Sequence, residues 1–337
     1  MIRVFSVFIE NVKRFKDFLN LDKHEYIDVR VSDNLMYFIS NSPEVLGIYQ
    51  AKYRCTEESA SDFSFRVNRF LLSKLYLDGI IAFSFTADSI VTAIYTENGK
   101  LRYSYKSIKQ SAYDGEYAER FRLLESLDLA GSQVTLDDLS YVNNITRYSP
   151  SVVHVSNGIA GVTLKDGSRI FKKVECKGNF SLSSYALNLL LKFAVSAYNV
   201  RNYLCIKFGD MRLCITKANV LSQEEFQYVE EQKSALICDV DFSNLCSLYA
   251  QLDVKLPYVE IDFNTTSIVF EHHNSVFTVP LTVTNLRYSP GYEVKPIRLP
   301  SSVITEIFQK TKLTTFRLYK KKNFNELEAK DLYIVFR

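Results

Sequence analysis

The sequence predicts an α+β fold assembled from copies of one strand–helix–strand–strand unit. Three observations carry that prediction: the stretch Asn179 to Val220, its recurrence along the chain, and a core composition of Phe and Tyr without Trp. Within the stretch, Ser184 to Tyr198 is apolar except for Ser184, Asn188, Lys192 and Ser196. Polar residues every four positions form one stripe, and the remaining surface asks to be buried, which predicts a helix over 184–198. A β-rich run from Asn179 to Ser183 precedes it, and Tyr203 to Phe208, Gly209-Asp210 and Met211 to Thr216 read as a hairpin.

The same order recurs six times, a period that means a fold built from copies. Copy one reads as strand Val4 to Phe8, helix Glu10 to Leu19, and strands Tyr26 to Val31 and Leu35 to Ser40. Copy two is Phe63 to Val67, helix Asn68 to Leu77, Ile80 to Thr86 and Ser89 to Tyr95. Copy three is shorter, with helix Leu136 to Tyr148, then Val152 to Ser156 and Gly161 to Leu164. The Asn179 stretch is copy four. Copy five runs Ala235 to Val240, helix Phe242 to Leu252, Tyr258 to Phe263 and Ser267 to His272. Copy six has Val294 to Leu299, helix Pro300 to Lys312, Thr314 to Tyr319 and a last strand Leu332 to Phe336.

With 337 residues, two or three domains are expected. Paired copies give three, over 1–117, 118–233 and 234–337, each of ordinary size. The first boundary falls near Asp114-Gly115-Glu116, and the charged segment from Glu116 to Gly131 reads as a connecting strand or a short helix. The polar run Ser222 to Ser234 marks the second, and Lys320 to Lys322 with Asn323-Phe324-Asn325-Glu326 reads as a long mobile loop.

A net charge of +3 excludes a bulk polycation, so an anionic partner must be met by a local patch. Cys55, Cys176, Cys205, Cys214, Cys238 and Cys246 form no C-x-x-C pair and sit in apolar runs. They read as buried thiols of a reducing compartment rather than as zinc ligands or disulfides. The N-terminus alternates like a strand, and the longest apolar helix carries Asn188 and Lys192. Neither a signal peptide nor a membrane span is expected, which leads to a soluble, cytoplasmic protein.

Chemistry is sparse. His272 and His273 end a strand without a carboxylate or cysteine at ligand spacing, and His24 and His154 stand alone. Phosphate-binding and nucleophile-elbow patterns are missing, and the carboxylate pairs Asp137-Asp138 and Glu224-Glu225 fit helix starts or solvated turns. No catalytic residue, metal or cofactor is expected.

Repeated units paired into domains, with no active site, resemble the DNA sliding clamps that act as polymerase processivity factors. Two local patterns sharpen the resemblance. Val162 to Ile170, with Asp166-Gly167-Ser168-Arg169, is similar to the T-D-G-H-R-L strand of bacterial clamps, with Ser168 in place of histidine and Lys165 in place of threonine. Leu332-Tyr333-Ile334-Val335-Phe336-Arg337 resembles their apolar final strand, though shorter. The resemblance implies a pocket for clamp-binding peptides at Gly167, Arg169, Ile170, Ile334, Val335 and Phe336. It also implies three domains per chain, a head-to-tail homodimeric ring with twelve helices around a hole and sheets outside, and as partners duplex DNA, a DNA polymerase and a clamp loader. Divergent length and composition suggest a phage origin.

A clamp must hold DNA without reading it, so its helices should present Lys and Arg to phosphates. The candidates are Lys13, Arg14 and Lys16 in copy one, Arg66, Arg69 and Lys74 in copy two, Arg147 in copy three, Lys192 in copy four, and Lys310 and Lys312 in copy six. Copy five offers none before Lys255. Two other readings stay open: a monomeric processivity factor held on DNA by charge, which net charge +3 disfavours, and a β-rich structural or adaptor protein.

Overall fold

The computed structural model describes residues 3–21, 24–32, 35–55, 63–75, 79–96, 98–108, 117–126, 132–136, 139, 152–164, 166–176, 178–193, 196–218, 234–251, 256–272, 274–304 and 313–337. Copy one comprises β1 (Arg3–Phe8), α1 (Val12–Leu19), β2 (Tyr26–Ser32), β3 (Leu35–Asn41) and β4 (Val45–Cys55). Copy two follows with β5 (Phe63–Asn68), α2 (Arg69–Ser73), β6 (Ile80–Phe85), β7 (Ser89–Tyr95) and β8 (Leu101–Ile108). The ambiguous segment after it holds a short helix, α3 (Ala118–Glu125). Copy three contains β9 (Ser132–Thr135), β10 (Val152–Ser156), β11 (Ile159–Thr163) and β12 (Arg169–Lys173). Its expected helix lies, but for the buried Leu136 and Leu139, outside the described residues.

Copy four has β13 (Phe180–Ser183), α4 (Ser184–Phe193), β14 (Ser196–Val200), β15 (Tyr203–Phe208) and β16 (Met211–Thr216). Copy five has β17 (Leu236–Asp241), α5 (Ser243–Gln251), β18 (Tyr258–Asp262), β19 (Ser267–His272) and β20 (Ser275–Pro280). An extra strand, β21 (Thr282–Tyr288), leads to copy six: β22 (Ile297–Pro300), α6 (Ser301–Val303), β23 (Thr315–Lys320), β24 (Asn325–Ala329) and β25 (Leu332–Phe336). The unit therefore carries three strands after its helix where the sequence pattern gave two: β4, β8, β12 and β20 were not expected as strands of their units, nor were β14 and β24, whereas β16 and β25 were.

Two expectations are corrected. The helix of copy four stops at Phe193 rather than Tyr198, because Ser196–Val200 is a strand paired with β15 through Tyr198↔Cys205 and Val200↔Tyr203. Lys217 ties that hairpin down, donating to Asn199 Oδ1 at 2.5 Å and to the Arg201 carbonyl. The loop expected from Lys320 is a tight turn, closed by Lys321 N donating to the Phe324 carbonyl at 2.9 Å. Lys321 is buried against Glu326 at 2.6 Å, so its charge is matched inside rather than solvated.

Local chemistry accounts for the helix starts. Asn11 Oδ1 accepts from Arg14 N at 2.9 Å, Asn68 Oδ1 from Phe70 N at 2.9 Å, and Ser183 Oγ from Ala186 N at 3.1 Å. On α1, Val12, Phe15, Phe18 and Leu19 are buried, the i, i+3, i+6, i+7 stripe of an amphipathic helix.

The chain divides into two compact units, one of residues 1–134 and 192–217, the other of 135–191 and 218–337. In the first, a sheet runs β8-β7-β6-β1-β4-β16-β15-β14-β9, with β3, β2 and β5 branching from β4. Its core is aromatic, with Phe15 packed on Phe38 (5.0 Å) and Tyr49 (4.9 Å), and Phe65 on Phe85 (4.9 Å). Gly47 on β4 permits the approach of α1, since a Cβ there would lie 2.4 Å from Leu21 and 3.4 Å from Phe18. On β15 and β16 the buried thiols Cys205 and Cys214 stand directly opposite one another. They share a cluster with Leu46, Ile48, Tyr117, Phe121 and Leu124.

In the second unit, one sheet runs β13-β10-β11-β12-β25-β24-β23-β17-β21 and another β20-β19-β18-β22. Its core joins Ile170, Val240, Phe242, Leu299, Phe316, Leu318 and Ile334. His154 is a core histidine, with Nδ1 2.7 Å from Ser181 Oγ.

The third strands follow a rule. That of copy one pairs with that of copy four (β4 with β16), and that of copy three with that of copy six (β12 with β25). Those of copies two and five, β8 and β20, end their sheets.

Candidate nucleic-acid interface and peptide pocket

The helix cations gather around α1. Lys13 is exposed and Lys16 half-buried on its outer face. Lys192, at the end of α4, reaches Asp17 Oδ1 at 2.7 Å. Arg69, first in α2, donates Nη1 to the Leu19 carbonyl at 3.3 Å, where a cation complements a helix C-terminus. Lys74 Nζ lies 4.2 Å from the ring centre of the exposed Phe70.

Two further candidates are also held by their own chain. Arg14 lies over the Phe208 ring at 4.6 Å and 3.9 Å from Asp210 Oδ2. Gly209 makes this possible: its φ is +59°, and a Cβ there would fall 1.9 Å from Arg14 Nη1. Arg66 belongs to β5, in the strand expected over Phe63 to Val67 and so off the helix face, where it pairs in register with Asp28 and binds Asp28 Oδ1 at 2.7 Å. Arg147, Lys310 and Lys312 lie outside the described residues. The sequence singled out the cations without pairing Lys192 with Asp17 or Arg66 with Asp28, because distance along the chain gave no local signal.

Pairing of β12 with β25 brings the pocket candidates together. Arg169 faces Val335 and Ile170 faces Ile334 across the joint. Ile170, Ile334 and Phe336 are buried in the core, while Arg169 and Val335 are half-buried. Gly167, at φ +85°, forms the turn into β12, where Leu164 N donates to the Ser168 carbonyl at 2.7 Å. Asp166 fixes this turn by accepting from Ser168 N at 2.9 Å and from the Ser302 hydroxyl. Farther along the same sheet, Tyr319 donates to Glu328 at 2.6 Å, and burial, then Glu328, pushes its phenol up to about 12. Asp239 is held below its ordinary value by hydrogen bonds from Arg317 and Asn285.

The sequence reading also passed over the two terminal strands. β8 exposes Leu101, Tyr103 and Tyr105 beside Arg102 and Lys106, and β20 exposes Val276 and Phe277. In β8 the alternation of Leu101, Tyr103 and Tyr105 with Arg102, Ser104 and Lys106 was the available signal. Among the described residues there is no group of three His, Cys, Asp or Glu placed to hold a metal ion, and no helix long and apolar enough to cross a membrane.

This arrangement is the DNA-clamp fold, an α+β architecture. The chain is similar over nearly its whole length to solved structures of the DNA polymerase III beta subunit. That from Pseudomonas aeruginosa matches with a TM-score of 0.65 and 11% identity over 99% of both chains. That from Streptococcus pneumoniae TIGR4 gives 0.62 and 10% over 100% of this chain and 99% of the other, and that from Thermotoga maritima 0.59 and 11% over 98% of both. No family model and no curated protein sequence matches.

Proposed function

We propose that this protein is a sliding clamp: two copies close head to tail around duplex DNA and tether a DNA polymerase, with no catalysis of their own. The observation that carries this is the pairing rule of the third strands. Within a chain, copies one and four join and copies three and six join, which leaves copies five and two to join between chains. Placing β20 of one protomer beside β8 of the next would remove two open sheet edges and cover their exposed apolar side chains. The clamp fold, matched end to end, supports the reading.

In this ring the chain supplies three domains, 1–117, 118–233 and 234–337, and its six helices line half of the hole. Lys13, Lys16, Arg69, Lys74 and Lys192, with Arg147, Lys310 and Lys312, face DNA phosphates. Arg14 and Arg66 support the scaffold behind them. Gly167, Arg169 and Val335, above Ile170, Ile334 and Phe336, form the pocket for peptides of the polymerase and of a clamp loader. The protein works in the cytoplasm, that of a host if the gene is a phage's.

Sedimentation equilibrium tests the ring. A species of about 78 kDa, twice the 38.9 kDa chain, is expected, together with retention on closed circular DNA and loss from linear DNA. Tyr103→Asp in β8 or Val276→Asp in β20 should each halve the mass. A wild-type monomer at micromolar concentration would overturn the proposal in favour of a charge-held processivity factor or an adaptor.

A further inference from the structure

We propose that the cleft where α3 meets the β3–β4 turn is a second peptide site, taking an extended segment of a partner protein that carries a carboxylate beside an apolar side chain. The cleft has a volume of about 820 Å³ and lies wholly within the first unit. That volume falls in the usual range for ligand sites.

Its position follows from the repeat. The turn from β3 to β4 leads into a strand whose far side pairs with the last strand of the copy three further on, β16. The turn from β11 to β12, which holds Gly167, does the same with β25. The cleft is thus the internal counterpart of the candidate pocket, built in different chemistry. Here the outer row Leu46 and Ile48 is roofed by Tyr117, Phe121 and Leu124, so the opening is displaced to the start of α3.

Charge defines what fits. Two guanidinium groups and two carboxylates line the cleft; Glu25 is held by Asn68 Nδ2 at 3.1 Å, and Arg66 is matched by Asp28 at 2.7 Å. Arg120 instead donates to two uncharged acceptors, Asn41 Oδ1 at 2.6 Å and the Ser42 carbonyl at 3.0 Å. Those bonds fix the fork without neutralising it, and a planar guanidinium with five donors suits a carboxylate. The first turn of α3 opens at the same place with no side-chain cap from Tyr117, which adds N–H groups and the positive end of the helix. Ile39, Pro43 and Tyr117 supply an apolar wall, and the exposed Tyr26 a ring at the rim.

The test is fluorescence anisotropy of the full chain with a fluorescein-labelled pentapeptide of alternating leucine and aspartate. Saturable binding is expected, weakened about tenfold by Arg120→Gln and by Tyr26→Ala and by asparagine in place of aspartate. Arg169→Ala, at the Gly167 pocket, should leave it unchanged. Should Arg120→Gln fail to fold, Tyr26→Ala and the asparagine peptide still decide. Binding that survives both folded variants, binding lost in Arg169→Ala, or no saturation by about 1 mM would overturn the proposal. The mass of the ring is read separately, so either idea can fail alone.

Discussion

Tyr49 shows how one residue links core and surface. Its ring packs on Phe15 and Phe18 and is 1% exposed, and burial, reinforced by Asp210, pushes its phenol from 10.0 up to about 12. Between those values the unfolded chain has released a proton that the native state keeps. Stability therefore falls as pH rises from 10.0 towards 12, by up to about 1.4 kcal/mol per pH unit. Tyr49→Phe should flatten this limb in urea melts at alkaline pH, and an unchanged slope would assign the effect elsewhere. Single residues were only partly legible in the sequence. Lys192 stood out as the polar member of an apolar helix, yet its carboxylate partner Asp17 lies in a different copy. Arg66 reads as a strand residue and is one, but its partner Asp28 across β2 and β5 gave no signal in the sequence.

At the scale of elements, the hairpin of β23 and β24 is the least ordinary. Lys321 and Glu326 are 4% and 2% exposed, and Lys321 also lies 5.4 Å from the Phe324 ring centre. Removing one member of a buried pair leaves the other desolvated, so Lys321→Met should cost about 3–5 kcal/mol. The double variant Lys321→Met with Glu326→Leu should recover most of that in urea denaturation. Equal losses in single and double variants would mean that packing, not charge, holds the turn. Helices α1 and α5 were readable, each expected within two residues of its observed bounds. The third strand of copy one was not, because β4 opens with five buried residues in succession and has no alternation there. The three consecutive lysines at 320–322 misled for the opposite reason: charge in sequence reads as solvent, and only the fold brings Glu326 across.

For the whole molecule, recurrence was the most legible property, and it led to the fold although sequence identity to the similar solved structures is only 9–11%. What recurrence left out was the exchange of strands between copies, a long-range pairing with no local trace. If the helices line a hole, affinity for linear duplex measured at short times should fall with salt. Lys13→Gln and Lys16→Gln should each leave one phosphate fewer neutralised and so reduce the slope of log K against log salt by about 0.9. Slopes equal to wild type would remove α1 from the DNA surface.

The paired thiols of β15 and β16 also furnish a clock. Both have 0% exposure, and the hydrogen bond between them, with burial, pushes Cys214 well above the ordinary thiol range. A thiol reagent can reach them only when β16 parts from its neighbours, while the half-exposed Cys55 reacts without waiting. The lag between the fast and slow classes would time how often the β4–β16 seam breathes.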